Sequence, residues 1–173
     1  MTRRRPINTG AWCRNIVTAL KYCALLLLLL ADINPGQACP VANKSIQLAA
    51  NGHTLIAEVA ATRASHMCGL ALRHYLPADH GMLFAYAQDE ILGFWMKNTF
   101  IPLSIAFLDA DGRILEIYYM DPHDSARRYI SRASARYALE VNQGWFYDND
   151  IKVGDRVDID LQADPEIFRF GAQ

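Results

Sequence analysis

Residues 81–119 read GMLFAYAQDEILGFWMKNTFIPLSIAFLDADGRILEIYY. Charges and turn residues break this apolar stretch at Asp89-Glu90, Lys97-Asn98, Pro102 and Asp109–Gly112, so it is not a membrane span. The pieces between the breaks are rich in Phe, Ile, Leu and Tyr and short enough to be strands. Successive side chains of a strand point to opposite faces. In Leu103–Leu108 this puts Leu103, Ile105 and Phe107 on one face and Ser104, Ala106 and Leu108 on the other. Both faces are mostly apolar, which predicts a central strand covered on both sides. Asp109-Ala110-Asp111-Gly112 predicts a tight hairpin turn with Gly112 at positive φ, and Arg113–Tyr119 is the partner strand. Leu83, Leu103, Ile105, Phe107 and Ile117 are the expected core.

Upstream, Ser45–Ala50 and His53–Ala61 flank Asn51-Gly52, a strong type I′ hairpin signal. Thr62 caps a short helix over Arg63–Cys68 that stops at Gly69, with Met67 and Leu70 facing inward. Leu72–His80 is a loop, and Gly81–Tyr86 and Gly93–Met96 are strands. Downstream, Asp121–Ala135 is polar and basic and reads as a surface loop. Tyr137–Asn142 is a strand, Trp145–Asn149 one helical turn, Val153–Asp155 a turn, and Arg156–Leu161 the last strand. Residues 162–173 form a tail. The expectation is a mainly β domain: a compact β-sandwich or barrel of seven to eight short strands with one short helix.

The first 38 residues are of a different kind. Arg3, Arg4, Arg5, Arg14 and Lys21 precede an apolar core, Ala24–Ala31, that is too short to span a bilayer. Pro35-Gly36 breaks it, and Gly36-Gln37-Ala38 fits the small-x-small pattern before a cleavage point. The reading is a secretory signal over 1–38, with an uncleaved anchor or acylation at Cys39 as alternatives. The mature N-terminus and first strand then occupy 39–52, the main β domain 53–161 and the tail 162–173.

The whole chain has 17 Lys+Arg and 18 Asp+Glu; the first 38 residues hold five basic side chains and one acidic, so residues 39–173 keep 12 and 17, a net charge of −5. Such a balance argues against nucleic acid as a partner. Of the four cysteines, Cys39 and Cys68 remain after cleavage. An oxidising compartment permits a bridge between them; a buried, inert Cys68 is the alternative.

Several separated stretches point to one family. They are Gly69-Leu70-x-x-Arg73, Asp79-His80-Gly81-Met82-Leu83-Phe84, Phe94-Trp95-Met96-Lys97-Asn98-Thr99, Ile101-Pro102-Leu103, Phe107-Leu108-Asp109, Leu139-Glu140-Val141-Asn142-x-Gly144 and Ile151-x-x-Gly154-Asp155. In this order, over about residues 53–161, the chain resembles the prokaryotic family called domain of unknown function 192. The resemblance implies an extracytoplasmic or membrane-tethered β-sandwich and no known reaction. The sequence departs from the family pattern at His66, where Arg is usual, at Ala71, where Met is usual, and at Ser104, where Asp is usual.

Lys97 and Glu140 are the ionisable residues that stand out, because each sits among apolar neighbours. A buried charge needs a partner, so either both face water or they meet. The sharper reading brings them into one polar cleft with Trp95 as an apolar wall and Asn98 and Asn142 beside them. Ligand-binding candidates are therefore Trp95, Lys97, Asn98, Glu140 and Asn142, with no catalytic residue and no metal ligand assigned. His66, His74, His80 and Cys68 lie within fifteen residues, but their spacing matches no established metal motif. No Gly-rich phosphate loop occurs, and no cofactor is expected. The favoured reading is a non-enzymatic, exported module of the cell envelope that binds a small molecule or an envelope component. It touches the membrane only through the signal segment or a lipid at Cys39. A hydrolase using Glu140 with Lys97 is the alternative, and a soft-metal (copper) carrier the third.

Overall fold

The computed structural model describes residues 43–122 and 124–161. The expected signal segment, the expected cleavage or acylation point at Cys39 and the 162–173 tail lie outside the described residues. Among the described residues nine strands and two short helices follow in order: β1 Ser45–Ala50, β2 His53–Ala60, α1 Arg63–Cys68, β3 His80–Glu90, β4 Gly93–Phe94, β5 Leu103–Leu108, β6 Ile114–Met120, β7 Tyr129–Ile130, β8 Ala135–Asn142, α2 Trp145–Asp148 and β9 Val157–Asp158. Seven strands form one sheet in the order β6-β5-β8-β3-β2-β1-β9, curled into a half-barrel, and β4 and β7 pair separately. The fold is mainly β, as expected.

The hairpins form where the turn residues place them. Asn51 and Gly52 take φ of 50° and 82°, joining β1 to β2. Gly112 takes φ of 79°, and the Asp109 side chain accepts from the amides of Asp111 and Arg113 at 2.9 Å each, closing the β5–β6 turn. β2 and β3 pair in parallel. Parallel neighbours need a crossover, and α1 with the following loop supplies it. Thr62 caps α1 in a reciprocal box with Ser65, satisfying amides that the first turn leaves open.

The strand β5 is covered on both faces: all six of its residues are buried. It pairs with β6 on one side and β8 on the other. One face of the sheet carries Leu83, Ala106, Leu139 and Val141, packed with Trp145 and Phe146 of α2. The other carries Met82, Phe84, Ile105 and Phe107, packed under Leu70, Phe94 and Met96. Alternation along the strands sorts the two layers.

Local expectations fail at four places. Met67 is 77% exposed. Ser65 is the buried residue of α1, and Met67 lies two residues, about 200°, round the helix from it. Ile117 is only partly buried, because β6 is an edge strand. The 121–135 segment is not all loop: β7 pairs with β4, and Tyr129 is 1% exposed. The last strand shrinks to Val157–Asp158 because β1 offers it only Ala49 and Ala50 as partners.

Candidate functional site

Glu140 sits in the middle of β8, opposite Met82 of β3 and Ile105 of β5. Its neighbours Leu139 and Val141 enter the other core, so alternation forces Glu140 into the layer under Phe94 and Met96. The residue is 4% exposed. Among the described residues its carboxyl has no hydrogen-bond or ion-pair partner. Desolvation by burial pushes its pKa from 4.5 up to about 8, because a low-dielectric site disfavours the carboxylate. At neutral pH the group is a carboxylic acid, with a proton to donate.

A cavity of about 80 Å³ opens beside it. Phe84, Phe94 and Leu70 supply apolar wall, and His66, Tyr86 and Thr99 supply polar groups. The His66 ring packs against Tyr86, tilted by 31° with centroids 4.3 Å apart, and its Nε2 lies 2.9 Å from the Ala60 carbonyl and 3.2 Å from that of Ala85. Burial lowers the His66 pKa, which favours the neutral ring. Burial, with the charges of Glu90 and Glu140, raises the Tyr86 pKa to about 12, so its hydroxyl keeps its proton.

The mouth is built by the segment after β4. Phe94 and Met96 turn into the core, so Trp95 and Lys97 turn out. Trp95 is 46% exposed. Its ring carries the Arg128 guanidinium at 4.0 Å and the Lys97 ammonium at 5.6 Å, a stacked arrangement of cations on an aromatic face.

Three of the five expected ligand-binding residues, Trp95, Lys97 and Glu140, border this cavity. Lys97 and Glu140 form no ion pair. Asn98 does not line it; it turns the chain at φ of 58°, and its carbonyl accepts from the Leu72 amide at 2.8 Å. Asn142 is a latch: its Nδ2 donates to the carbonyls of Leu76, Pro77 and Ala78 at 3.2, 2.8 and 3.3 Å. Tyr86 was missed. It lies two residues beyond Phe84 on the same strand, and the period of two places it on the cavity face.

The sequence profile of domain of unknown function 192, an uncharacterised ACR, matches residues 46–159. The chain belongs to the DUF192 family. Two of the solved structures that this DUF192 chain resembles have a TM-score of 0.65 and 31% identity. One, from Sinorhizobium meliloti, is described as a candidate transcription regulator; 68% of this chain covers 95% of it. The other, from Novosphingobium aromaticivorans, is described as a protein of unknown function; 69% of this chain covers 89% of it. Among curated proteins none matches.

Where this DUF192 member departs from the pattern, the structure locates the change. His66 and Ala71 line the Glu140 cavity. Ser104 does not: it lies on the opposite face of β5, and its Oγ accepts from the Gly144 amide at 3.0 Å. An aspartate at that place would not share a site with Glu140. Cys68 is disulfide-bonded, and the Cys39 half of the expected bridge lies outside the described residues. Among the described residues no three His, Cys, Asp or Glu side chains gather as metal ligands. His74 instead stacks on Phe100 at 4.8 Å.

Proposed function

We propose that this DUF192 chain is an exported, non-enzymatic binding module of the cell envelope, which receives a small chemical group in the Glu140 cavity. The observation that carries the reading is the Glu140 carboxyl, buried without a partner at a cavity wall. A carboxyl that opens only onto a small cavity is poorly solvated there, and a ligand that accepts its hydrogen bond satisfies it. At about 80 Å³ the cavity is below the roughly 300 Å³ of an ordinary small-molecule pocket. It takes one group of a ligand, and the remainder rests on Trp95. Export is supported by the basic-then-apolar leader. A transcription-regulator role, the description of the Sinorhizobium protein, would have the net charge of −5 over residues 39–173 against it wherever it needed direct contact with DNA.

Amide NMR of the full chain against a panel of small acids, amines and amides tests the binding. A binder shifts the resonances of Gly69, Phe94 and Thr99; silence across the panel overturns the reading. Mass spectrometry of the envelope fraction tests the export, with a chain starting near Cys39 expected and an unprocessed cytoplasmic chain against it.

The hydrolase reading has one observation in its favour, the carboxyl held near pKa 8, which suits a general acid at neutral pH. Release of acid from ester substrates, or of reducing sugar from glycosides, that disappears in Glu140→Gln would replace binding by catalysis.

A further inference from the structure

The binding-module reading leaves the chemistry of the bound group open, and the cavity's own charges narrow it. Resting on that reading, we infer that the cavity takes the carboxylate of a small organic acid, held by a hydrogen bond donated from Glu140 and by the Lys97 ammonium at the mouth.

The size comes first. About 80 Å³ compares with about 30 Å³ for one water in the liquid, so the space holds a group of a few heavy atoms. The donors come next. Glu140 offers an O–H with no acceptor among the described residues, and the Tyr86 hydroxyl offers a second donor on the same wall. A carboxylate accepts from a carboxylic acid in a short, charge-assisted bond, the arrangement two acids adopt when they share one proton.

The sign of the field then separates carboxylates from amines. Among the described residues Glu140 is the one acid on the cavity lining; Lys97 lies on the same lining, and the Arg128 guanidinium lies over the Trp95 ring. An ammonium ligand would have to pass two cations to reach an acid that carries no charge. An amide would fit the hydrogen bond and gain nothing from Lys97. The titratable groups on the cavity lining agree with this, and Glu58, in the same row as Met82 and Glu140, is paired with Arg73. Tyr86 faces Glu140 from β3 and stays protonated, His66 faces it from α1 and is neutral, and Lys97 faces it from the segment after β4. β5 carries no titratable side chain. The charge of Glu90, exposed at the end of β3, acts on Tyr86 and His66. Phe84, Phe94 and Leu70 supply the apolar part of the wall beside these polar groups.

The proton makes the inference testable. With the Glu140 pKa at about 8, the protonated fraction falls from about nine-tenths at pH 7 to about one-tenth at pH 9, and an apparent dissociation constant scales inversely with the competent fraction. The experiment is an amide NMR titration of the full chain with sodium acetate, methylammonium chloride and acetamide at pH 7 and pH 9, at one ionic strength. Acetate is expected to bind most tightly of the three at pH 7 and about tenfold more weakly at pH 9. Glu140→Gln, which keeps a donor at every pH, is expected to hold acetate without that loss. Lys97→Met, at an exposed position that leaves the fold alone, is expected to weaken acetate and not acetamide. Tighter methylammonium than acetate, or the same pH dependence in Glu140→Gln, overturns the carboxylate assignment and leaves the binding module standing. No shift with any of the three probes overturns both.

Discussion

Lys97 and Glu140 border one cavity without pairing: the lysine lies at the open mouth, 5.6 Å from the Trp95 ring centroid, and the acid lies 4% exposed in the wall. The charge of Lys97 therefore does not hold Glu140 ionised, and burial alone sets the acid's state. This has a consequence for stability. The unfolded chain loses the Glu140 proton near pH 4.5, and the folded chain keeps it to about pH 8. Between those values the folded state binds more protons, so stability falls as pH rises, by roughly 3 kcal/mol from pH 4.5 to pH 7. Urea unfolding at a series of pH values should show the decline, and Glu140→Gln should flatten it and be the more stable protein above pH 7. A Gln variant with the same slope would assign the proton elsewhere.

The ion pair of Arg73 and Glu58 acts on the other flank. The guanidinium grips both carboxylate oxygens, at 2.5 and 2.8 Å, and joins the loop after α1 to β2. The hydrogen bonds from Arg73 lower the Glu58 pKa below 4.5. Its contribution is thus fully present above pH 4.5 and lost as pH falls through the lower folded value. Both side chains are about a third or less exposed, so solvent screens the pair only in part. Arg73→Lys, which cannot grip both oxygens at once, should cost about 1 kcal/mol at pH 7 and remove part of the acid-side loss. An unchanged acid limb would mean that the pair contributes nothing.

How much of this was legible in the sequence follows from the range of each signal. The turns at Asn51-Gly52 and Asp109–Gly112 and the cap at Thr62 are local, and they form as expected. The burial of β5 was legible because six residues alternate with apolar side chains on both faces. The strand β7 was not: its two residues, Tyr129 and Ile130, follow Arg127 and Arg128, and two residues carry no period. The cavity needed pairing information. Alternation separated Glu140 from Leu139 and Val141, but whether that face met water or protein depended on the 93–101 segment folding over it. For the same reason the contact of Asn142, on the Glu140 face, with the 76–78 backbone was not legible.

That latch can be tested directly. Asn142 Nδ2 is the donor to three carbonyls, and a carboxylate in its place can only accept. Asn142→Asp sets like partial charges against each other, and unsatisfied buried groups cost about 1–3 kcal/mol. Loss of that size in urea unfolding is expected, with faster amide exchange at Ala78 and Asp79. A ligand-contacting role without structural weight would leave both unchanged.

Phe107 ties β5 to the cavity layer. It is 0% exposed, and its ring lies 5.8 Å from that of Phe94 and 6.0 Å from that of Tyr118. Phe107→Ala removes both contacts and leaves a void that rigid strands cannot fill, so a loss of about 3–5 kcal/mol is expected. A cost below about 1 kcal/mol would be that of a surface site and would contradict the packing.

Gly81 gives the sharpest test of how the site is positioned. It pairs with Val141 across β3 and β8, one residue before the Met82–Glu140 pair. A Cβ at Gly81 would lie 2.5 Å from the Glu140 carbonyl oxygen and 3.0 Å from Val141 Cγ1. The oxygen belongs to the backbone and cannot rotate away, so Gly81→Ala must spread the two strands where Glu140 is held. Overpacking of this kind costs about 1–3 kcal/mol. Gly52→Ala is the control: its φ of 82° strains an alanine, but nothing lies within 4 Å of the added carbon. Its cost should be conformational, about 1 kcal/mol, and confined to the β1–β2 turn. The two variants should therefore differ in where the spectrum moves as well as in stability. Gly81→Ala should shift the amides of Met82, Glu140 and Val141 and lower the Glu140 pKa as water reaches the opened pair, whereas Gly52→Ala should leave all of them in place. If Gly81→Ala leaves that pKa unchanged while destabilising the fold, the strand pair and the acid's environment are independent.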